Sequence, residues 1–339
     1  MKRENGLFER ITDIGNLHEA YYKASRRKRN SAEYLLFRQN AAENLEQLRQ
    51  SLLDGTCTLD TYRQFTISDP KLRIISAAPF RDRIVHHAII NVLEPVFERQ
   101  FIYHTYACRK GKGTHAAASY AFCCAHRFKY FAKLDVRKYF DSISHDVLKA
   151  DLCRIIKDYR CLSLLFTLID GYSVGSTENG GGLRGLPIGN LTSQFFANLY
   201  LSPLDHYILE QLHPCGYVRY MDDMVLFAEN LAHIRKMFAA ISTFCQERLF
   251  LQLKLPVFGL CADGVPFLGW RITDKRVLLL SNTRRRVRAK LRSLAKNAAA
   301  GRISEQNAVE RACCMIASRK PAGFCASKKR HFSPIGFYS

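Results

Sequence analysis

Long hydrophobic runs are absent from this chain of 339 residues. No stretch of about 18 consecutive apolar residues occurs, and a membrane-spanning helix needs about that length. The opening Met1-Lys2-Arg3-Glu4 does not lead into an apolar segment, which argues against a secretory signal. We therefore expect a cytoplasmic protein with no membrane partner.

Cysteine is frequent, with 12 residues, but the C-x-x-C spacing typical of zinc sites is missing. Cys123-Cys124 and Cys313-Cys314 are adjacent pairs, and neighbouring residues have a poor geometry for sharing one metal ion. We interpret the cysteines as reduced, mostly buried thiols.

Acidic residues are few, because 30 Asp and Glu stand against 51 Lys and Arg, giving a formal net charge of +21. Such an excess favours a nucleic-acid ligand, since Lys and Arg neutralise phosphates and release counterions. From Ser281 onward the sequence has 14 basic and two acidic residues. A basic protein that is merely soluble is the alternative. The length and the 47% hydrophobic content allow two or three compact units.

Two adjacent carboxylates lie inside an apolar segment. Residues 216–227 read Gly-Tyr-Val-Arg-Tyr-Met-Asp-Asp-Met-Val-Leu-Phe, which predicts a strand, a turn and a strand with Asp222 and Asp223 at the bend. Carboxylates placed there repel each other and lose solvation, and a divalent cation would remove that penalty. A plain Asp-Asp turn at the surface is the alternative.

A third carboxylate comes from residues 130–143, which predict a strand ending at Asp135 and a turn into a helix. Together with Asp222 and Asp223, it can form a cluster that holds two Mg²⁺ ions and leaves sites open for phosphate oxygens and water. Two such ions, about 3.5–4 Å apart, clamp the attacking and leaving oxygens of a phosphoryl transfer. A cluster of these three carboxylates therefore predicts the chemistry of a polymerase.

Tyr220-Met221-Asp222-Asp223 resembles the catalytic box of reverse transcriptases, and Leu134-Asp135-Val136 with Tyr139-Phe140-Asp141 resembles their first aspartate box. The similarity runs from about residue 37 to about residue 270, with the boxes in the family's order. It implies an α+β right-hand polymerase with fingers, a ferredoxin-like palm and a small helical thumb. It also implies RNA-directed DNA synthesis from dNTPs, with two Mg²⁺ ions as cofactors and Mn²⁺ as a substitute.

The resemblance also implies which residues form the metal site: Asp135, Val136, Asp222 and Asp223. The three aspartates are the predicted catalytic residues. Val136 is expected to contribute its backbone carbonyl, and Asp223 to support the cluster electrostatically.

Lys71 and Arg73 alternate with apolar residues in a hairpin predicted between Thr66 and Pro79, so the two cations share one face. A triphosphate suits such a paired clamp. In reverse transcriptases the matching hairpin of the fingers holds the phosphates of the incoming nucleotide. Two solvent-facing cations on a strand are the alternative.

Three more nucleotide contacts follow from the resemblance. Arg81 begins a predicted helix, and Lys254, in a strand predicted over residues 251–255, matches a lysine near the pyrophosphate. Phe140 matches the aromatic gate that excludes the ribose 2′-OH. Core packing of Phe140, with Tyr139 as the gate, is the alternative.

Ile188, Gly189 and Gln194 complete the predicted nucleotide site. They lie where a Pro-x-Gly turn leads into an apolar helix. Most reverse transcriptases have Gln where Ile188 stands and Pro where Gln194 stands, whereas the Ile-Gly-Asn-x-x-Ser-Gln pattern resembles the enzymes of diversity-generating retroelements. Isoleucine supplies shape without the hydrogen bond that glutamine gives the nucleotide, so we expect weaker discrimination between nucleotides.

That resemblance implies adenine-mutagenised cDNA, copied from a template-repeat RNA, that diversifies a target gene. The implied partners are this RNA, the RNA–DNA duplex and a small basic accessory variability protein that forms oligomers, in a bacterial or phage setting. A group II intron or retron-type enzyme is one alternative, and a catalytically silent RNA-binding scaffold is another.

The predicted domains are a basic N-terminal arm (1–30), fingers with part of the palm (31–125), a palm with the catalytic aspartates (126–272) and a basic helical thumb (281–339). The arm is either an RNA contact or a solvated linker. A basic amphipathic helix in the thumb is expected to grip the duplex by its phosphates, a solvated charged helix being the alternative. Its predicted contacts are Arg284, Arg285, Arg286, Arg288 and Lys290.

Overall fold

The computed structural model describes residues 3–68, 72–175 and 182–319, so Lys71 lies outside the described residues. Two compact units alternate along the sequence. The first unit consists of Met1–Tyr103, Val136–Gln211 and Ala240–Leu253, and the second of His104–Asp135, Leu212–Ala239 and Lys254–Ser339. The predicted fingers, palm and thumb boundaries stay predictions.

Helices supply most of the regular structure. In chain order they are α1 Leu7–Ile11, α2 Ile14–Ser25, α3 Ala32–Gln39, α4 Ala41–Leu53, α5 Phe80–Glu98, α6 Thr114–Arg127, α7 Tyr139–Ser142, α8 His145–Ile155, α9 Tyr159–Asp170, α10 Leu191–Tyr200, α11 Ser202–Tyr207, α12 Leu231–Arg248, α13 Ser281–Ala299 and α14 Glu305–Ala317. In the parts of the chain that the structure describes, no helix is both long enough and apolar enough to cross a bilayer.

The strands form three antiparallel sheets, ordered β1-β2, β4-β5-β3-β6 and β7-β8-β9. Their bounds are β1 Arg63–Ile67, β2 Arg73–Ala77, β3 Tyr130–Leu134, β4 Gly216–Tyr220, β5 Asp223–Ala228, β6 Val257–Leu260, β7 Val265–Phe267, β8 Trp270–Ile272 and β9 Val277–Leu279. The hairpin β1-β2 belongs to the first unit, and the other two sheets belong to the second.

Helix α5 is the centre of the first unit, where α2 and α10 pack against it. Its buried positions recur at the helical period, as the sequence predicts, because one apolar face must leave water. The fully buried members are Ile84, Val85, Ala88, Ile89, Leu93 and Phe97. The helix begins after Pro79, whose fixed φ suits a helix start.

The four-stranded sheet of the second unit sets the positions of the aspartates. Strand β3 lies between β5 and β6, and Leu134 pairs with Met224. In the hairpin β4-β5, Tyr220 pairs with Asp223. This register places the end of β3, followed by Asp135, beside the turn that carries the other two aspartates. The predicted strand, turn and strand are confirmed.

Gly216 shows why this sheet needs a glycine next to α6. A Cβ there would lie 2.8 Å from the Cys124 Sγ and 3.4 Å from the Phe227 Cβ. The first distance is shorter than any ordinary carbon–sulfur contact, so a larger residue would push α6 away from β4.

The strand predicted over residues 251–255 is wrong. This segment is irregular, and only Leu253 makes an isolated antiparallel bridge, to Val136. Two features prevent a strand: Phe250 has a φ of 51°, in the left-handed region, and Pro256 cannot donate a ladder hydrogen bond. Strand β6 begins only after this proline, at Val257.

The expectation that most cysteines are buried is also wrong. Cys123, Cys215, Cys313 and Cys314 are exposed. Among the cysteines the structure describes, the buried ones are Cys124, Cys161, Cys245 and Cys261. The adjacent pairs explain part of the error, because neighbours on a helix point about 100° apart and cannot share one buried face.

Asp82 provides a test of the packing at the start of α5. Asp82 is 1% exposed, its carboxylate accepts a hydrogen bond from the Asp60 amide at 2.8 Å, and burial raises its pKa from 3.8 to about 6. The folded chain therefore holds this proton at pH values where the unfolded chain has lost it, and stability falls as pH rises from about 4 through 6.

We expect Asp82→Asn, which keeps an acceptor oxygen and cannot ionise, to raise the free energy of unfolding by about 1–3 kcal/mol at pH 8 and by about half as much at pH 5. Urea denaturation at the two pH values measures this, with the exposed Asp54→Asn as the matched control. Equal effects of Asp82→Asn at both pH values would contradict the assigned burial.

Candidate active site

The turn between β4 and β5 consists of Met221 and Asp222. Met221 has a φ of 54°, a left-handed conformation that is strained for a residue with a Cβ. Two-residue hairpin turns favour positive φ because it matches the twist of the flanking strands. The tight turn holds Asp222 and Asp223 next to each other at the end of the hairpin.

The structure brings the three predicted aspartates together. Burial raises the pKa of Asp222, and the neighbouring Asp135 carboxylate raises it further. Burial also raises the pKa of Asp223 to about 6, an effect that Lys133 opposes. The three carboxylates therefore repel each other in a poorly solvated place, and a cation between them would relieve that repulsion.

Two lysines pair with two of these aspartates. The Lys254 Nζ lies 2.8 Å from the Asp135 Oδ2, and the Lys133 Nζ lies 3.2 Å from the Asp223 Oδ1. Lys254 is the residue predicted to meet pyrophosphate. Lys133 was missed, although its position two residues before Asp135 places both side chains on the same face of the chain.

The donor set of Asp135 and Asp222 suits a hard cation such as Mg²⁺, which prefers carboxylate oxygens. The Asp135 Oδ1 is buried and accepts no hydrogen bond, so it can serve as a metal ligand. Within residues 3–68, 72–175 and 182–319, no group of three or more His, Cys, Asp or Glu is arranged to hold a metal ion. The Asp223 Oδ1 is also buried without a hydrogen-bond partner, and it forms an ion pair with Lys133.

Val136 is buried in the first unit and bridges Leu253. The flanking hydrogen bonds run from the Arg137 amide to the Gln252 carbonyl and from the Lys254 amide to the Asp135 carbonyl. The Val136 carbonyl takes no part in these two bonds, which is consistent with its predicted use as a ligand.

Ile188 and Gly189 form a turn that is tied to β2. The Ser76 amide donates to the Ile188 carbonyl at 2.8 Å. Gly189 has a φ of 123°, and a Cβ there would lie 2.8 Å from the Ile75 Cγ2, so both conformation and space require glycine. Ile188 is half-buried in this turn, and Gln194 is half-buried in the first turn of α10.

The two candidate gate residues occupy different environments. Tyr139 is buried, and its hydroxyl donates to the Ala197 carbonyl. Phe140 is half-buried and packs edge-on against the Tyr139 ring. Because the tyrosine is fixed in the core, Phe140 is the better candidate for a contact with the nucleotide sugar.

The two predicted phosphate contacts of the first unit differ. Arg73 is exposed at the start of β2, where it pairs with Ile67. The Arg81 guanidinium instead donates to the Thr58 carbonyl at 3.0 Å and to the Ser51 hydroxyl at 3.3 Å. Arg81 therefore holds the segment before β1 in place, and a phosphate would have to compete with these bonds.

Helix α13 has the predicted amphipathic form. Thr283 and Val287 are its buried residues, and they lie on one side of the helix. Of the predicted phosphate contacts, Arg284, Arg285, Arg288 and Lys290 are exposed and Arg286 is half-buried. The helix contains no acidic residue, so all the charged side chains on its outer face are basic.

Comparisons with known proteins place this site in a family context. The family described as reverse transcriptase (RNA-dependent DNA polymerase) matches residues 68–272. Protein YkfC of Escherichia coli K12 is 27% identical in an alignment of 279 positions that covers 69% of this chain and 72% of YkfC. The group II intron-encoded protein LtrA of Lactococcus lactis is 25% identical over 171 residues, half of this chain and 28% of LtrA. The chain thus spans only about a quarter of LtrA.

Among solved structures, telomerase of Candida tropicalis with a TWJ fragment of telomeric RNA superposes with a TM-score of 0.50 at 10% identity. The match covers 80% of this chain and 56% of that chain. At this identity the likeness concerns the fold alone.

The two lysine–aspartate pairs predict different effects on stability. The Lys133–Asp223 side chains are 23% and 22% exposed, whereas those of Lys254–Asp135 are 42% and 33% exposed. Lys133→Met leaves the half-buried Asp223 carboxylate without its ion pair and should lower the free energy of unfolding by about 1–3 kcal/mol at pH 8. Lys254→Met should lower it by about 1 kcal/mol or less. Urea denaturation measures both, and a larger effect of Lys254→Met would contradict this ranking.

Proposed function

Because this chain belongs to the reverse transcriptase family of RNA-dependent DNA polymerases, we propose that it copies a template-repeat RNA into adenine-mutagenised cDNA that diversifies a target gene. Family membership confirms two predictions from the sequence: the enzyme class, an RNA-directed DNA polymerase, and the fold class, a right-hand polymerase. The proposal of a mutagenic role is carried by Ile188 in the turn before α10, a position at which the family resemblance implies glutamine in most reverse transcriptases.

The catalytic centre we propose consists of Asp135, Asp222 and Asp223. When bound there, two Mg²⁺ ions, or Mn²⁺ in their place, would orient the reacting oxygens and neutralise developing charge. Asp135 and Asp222 would be the ligands, together with the Val136 carbonyl. Asp223, held by Lys133, would add negative potential and maintain the shape of the turn. Lys254 would turn from Asp135 to the pyrophosphate.

The nucleotide contacts we propose are Arg73, Phe140, Ile188, Gly189 and Gln194. Gly189 fixes the turn, and Ser76 holds the Ile188 carbonyl, so the Ile188 side chain is presented in a defined orientation. An apolar side chain at this position can exclude badly shaped pairs but cannot test them by hydrogen bonding. Lower discrimination between nucleotides follows. Lys71 and Arg81 remain predicted phosphate contacts.

A group II intron-type function is the second candidate, and the match to LtrA favours it. The two candidates differ in their expected products, since the mutagenic role predicts errors opposite template adenine and an intron-type role predicts no such bias. The accessory variability protein and the bacterial cytoplasm belong to the first proposal. Purification of the chain with its bound RNA, followed by sequencing of that RNA, would identify the template.

We expect Asp222→Asn to abolish dNTP incorporation, because an amide is a poorer Mg²⁺ ligand than a carboxylate. The same change removes repulsion from Asp135, so the variant should unfold at the same or a higher urea concentration than the wild type. Asp263→Asn, in the 3₁₀ turn after β6, is the matched control and should keep full activity. Primer extension by Asp222→Asn at the wild-type rate would contradict the proposed centre.

Ile188→Gln is expected to raise fidelity, mainly opposite template adenine. One added hydrogen bond contributes about 0.5–1.5 kcal/mol, which corresponds to a two- to tenfold change in discrimination. Ile188→Met is the control, because it has similar length and no hydrogen-bonding group. Single-nucleotide insertion kinetics give the ratio of correct to incorrect kcat/KM. Unchanged errors at adenine in both variants would place the source of infidelity elsewhere.

For the basic helix, we expect the triple change of Arg284, Arg285 and Arg288 to Gln to weaken RNA binding and to reduce its salt dependence. Each lost phosphate contact reduces the magnitude of the negative slope of log affinity against log salt by about 0.7–0.9, so losing three contacts should reduce it by about 2–3. The matched control changes Arg154, Lys157 and Lys236, exposed basic residues outside the N-terminal arm and α13, to Gln. An unchanged slope in the first variant would show that α13 does not contact RNA.

A further inference from the structure

Arg219 is the largest fully buried side chain in the described residues, and it lies in β4 two positions before the catalytic turn. Its side chain has no exposed surface. None of the proposed metal, nucleotide or RNA contacts uses it. A buried guanidinium is stable only where hydrogen-bond acceptors pair with its N–H donors. The acceptors of Arg219 therefore indicate which part of the structure it stabilises.

The Arg219 side chain holds the catalytic turn. Its Nη1 donates to the Met221 carbonyl at 3.1 Å. Met221 is the residue with the left-handed backbone, and Asp222 follows it directly. A charge-assisted hydrogen bond is stronger than one between neutral groups. The bond therefore acts on the peptide unit between Met221 and Asp222, and it favours the strained conformation over a relaxed one.

The backbone of Arg219 is itself held from the outer side of β4. Its amide donates to the His104 carbonyl at 3.1 Å, and its carbonyl accepts from the Tyr106 amide at 3.0 Å. Thr105, between them, makes a parallel bridge with Arg219. Residues 104–106 thus run along the side of β4 that faces away from β5. They fix the backbone position from which the Arg219 side chain extends to the turn.

We infer that Arg219 is a positioning residue, which sets the Met221–Asp222 peptide so that the Asp222 carboxylate meets Asp135 and the two can share a divalent cation. This inference rests on the proposed polymerase function of the aspartates. Asp222 is one residue from the held carbonyl, so a change of turn conformation would move its carboxylate directly. A displacement of about 1 Å in a reacting group costs up to 10²-fold in rate.

Three variants test this role. Arg219→Met keeps the apolar stem without a donor, Arg219→Lys keeps the charge with a simpler donor, and Arg219→Met with Met221→Gly relaxes the turn, because glycine adopts positive φ without strain. The readouts are Mn²⁺ affinity, measured by the paramagnetic resonance of free Mn²⁺, and kcat and KM for dNTP in primer extension. Urea denaturation reports the folded fraction.

We expect Arg219→Met to lower kcat by about 10- to 100-fold and to weaken Mn²⁺ binding, with a smaller change in KM for dNTP. Arg219→Lys should recover part of both losses, and adding Met221→Gly to Arg219→Met should recover Mn²⁺ affinity. Wild-type Mn²⁺ affinity in folded Arg219→Met, or no recovery in the glycine double variant, would overturn the inference. If Arg219→Met does not fold, the Arg219→Lys measurements decide.

The metal readout separates this inference from the proposed function. If the wild-type protein extends no primer but Mn²⁺ affinity depends on Arg219 as expected, the polymerase proposal fails and the positioning role stands. If primer extension requires Asp222 and Mn²⁺ affinity is insensitive to Arg219, the polymerase proposal stands and the positioning role fails.

Discussion

Repulsion between three half-buried carboxylates is the constraint on which the second unit depends. The pairing of β3 with β5 forces Asp135 next to Asp222 and Asp223, and burial raises the pKa values of the last two. The fold tolerates this arrangement because Lys133 and Lys254 each pair with one carboxylate. Because the carboxylates need two lysines to offset their mutual repulsion, a divalent cation bound between them would be strongly stabilised by their negative charge.

In the first unit, the constraint is a rigid backbone turn. A hydrogen bond from β2 and a glycine with positive φ fix the turn that carries Ile188. The hydroxyl of Tyr139 is hydrogen-bonded to the backbone of α10, and the adjacent Phe140 is half-buried. In the account proposed here, selectivity for the nucleotide depends on the shape of these side chains rather than on hydrogen bonds, and weak discrimination is built into the turn.

The hairpin β4-β5 was predictable from the sequence because apolar residues flank its two aspartates at a strand period, and the resemblance pointed to Asp135 as their partner. Helix α5 was predictable because its apolar residues recur at the helical period. Residues 251–255 were not, because alternation also occurs in irregular chain and the outcome depended on the left-handed Phe250. The role of Lys133 depends on a side-chain contact with the distant Asp223, and that of Arg219 on its burial and on its bond to the nearby Met221 carbonyl. Neither contact could be deduced from a local pattern. Arg219 did leave one signal, a charge inside an apolar strand.

The most direct measurement is the sequence of the cDNA that the purified wild-type protein makes from a defined RNA template with all four dNTPs. The account predicts full dependence on a divalent cation and substitutions concentrated opposite template adenine, with few errors opposite the other three bases. Faithful cDNA, or errors spread evenly over the four template bases, would contradict the mutagenic role. Absence of any extended primer would contradict the polymerase itself.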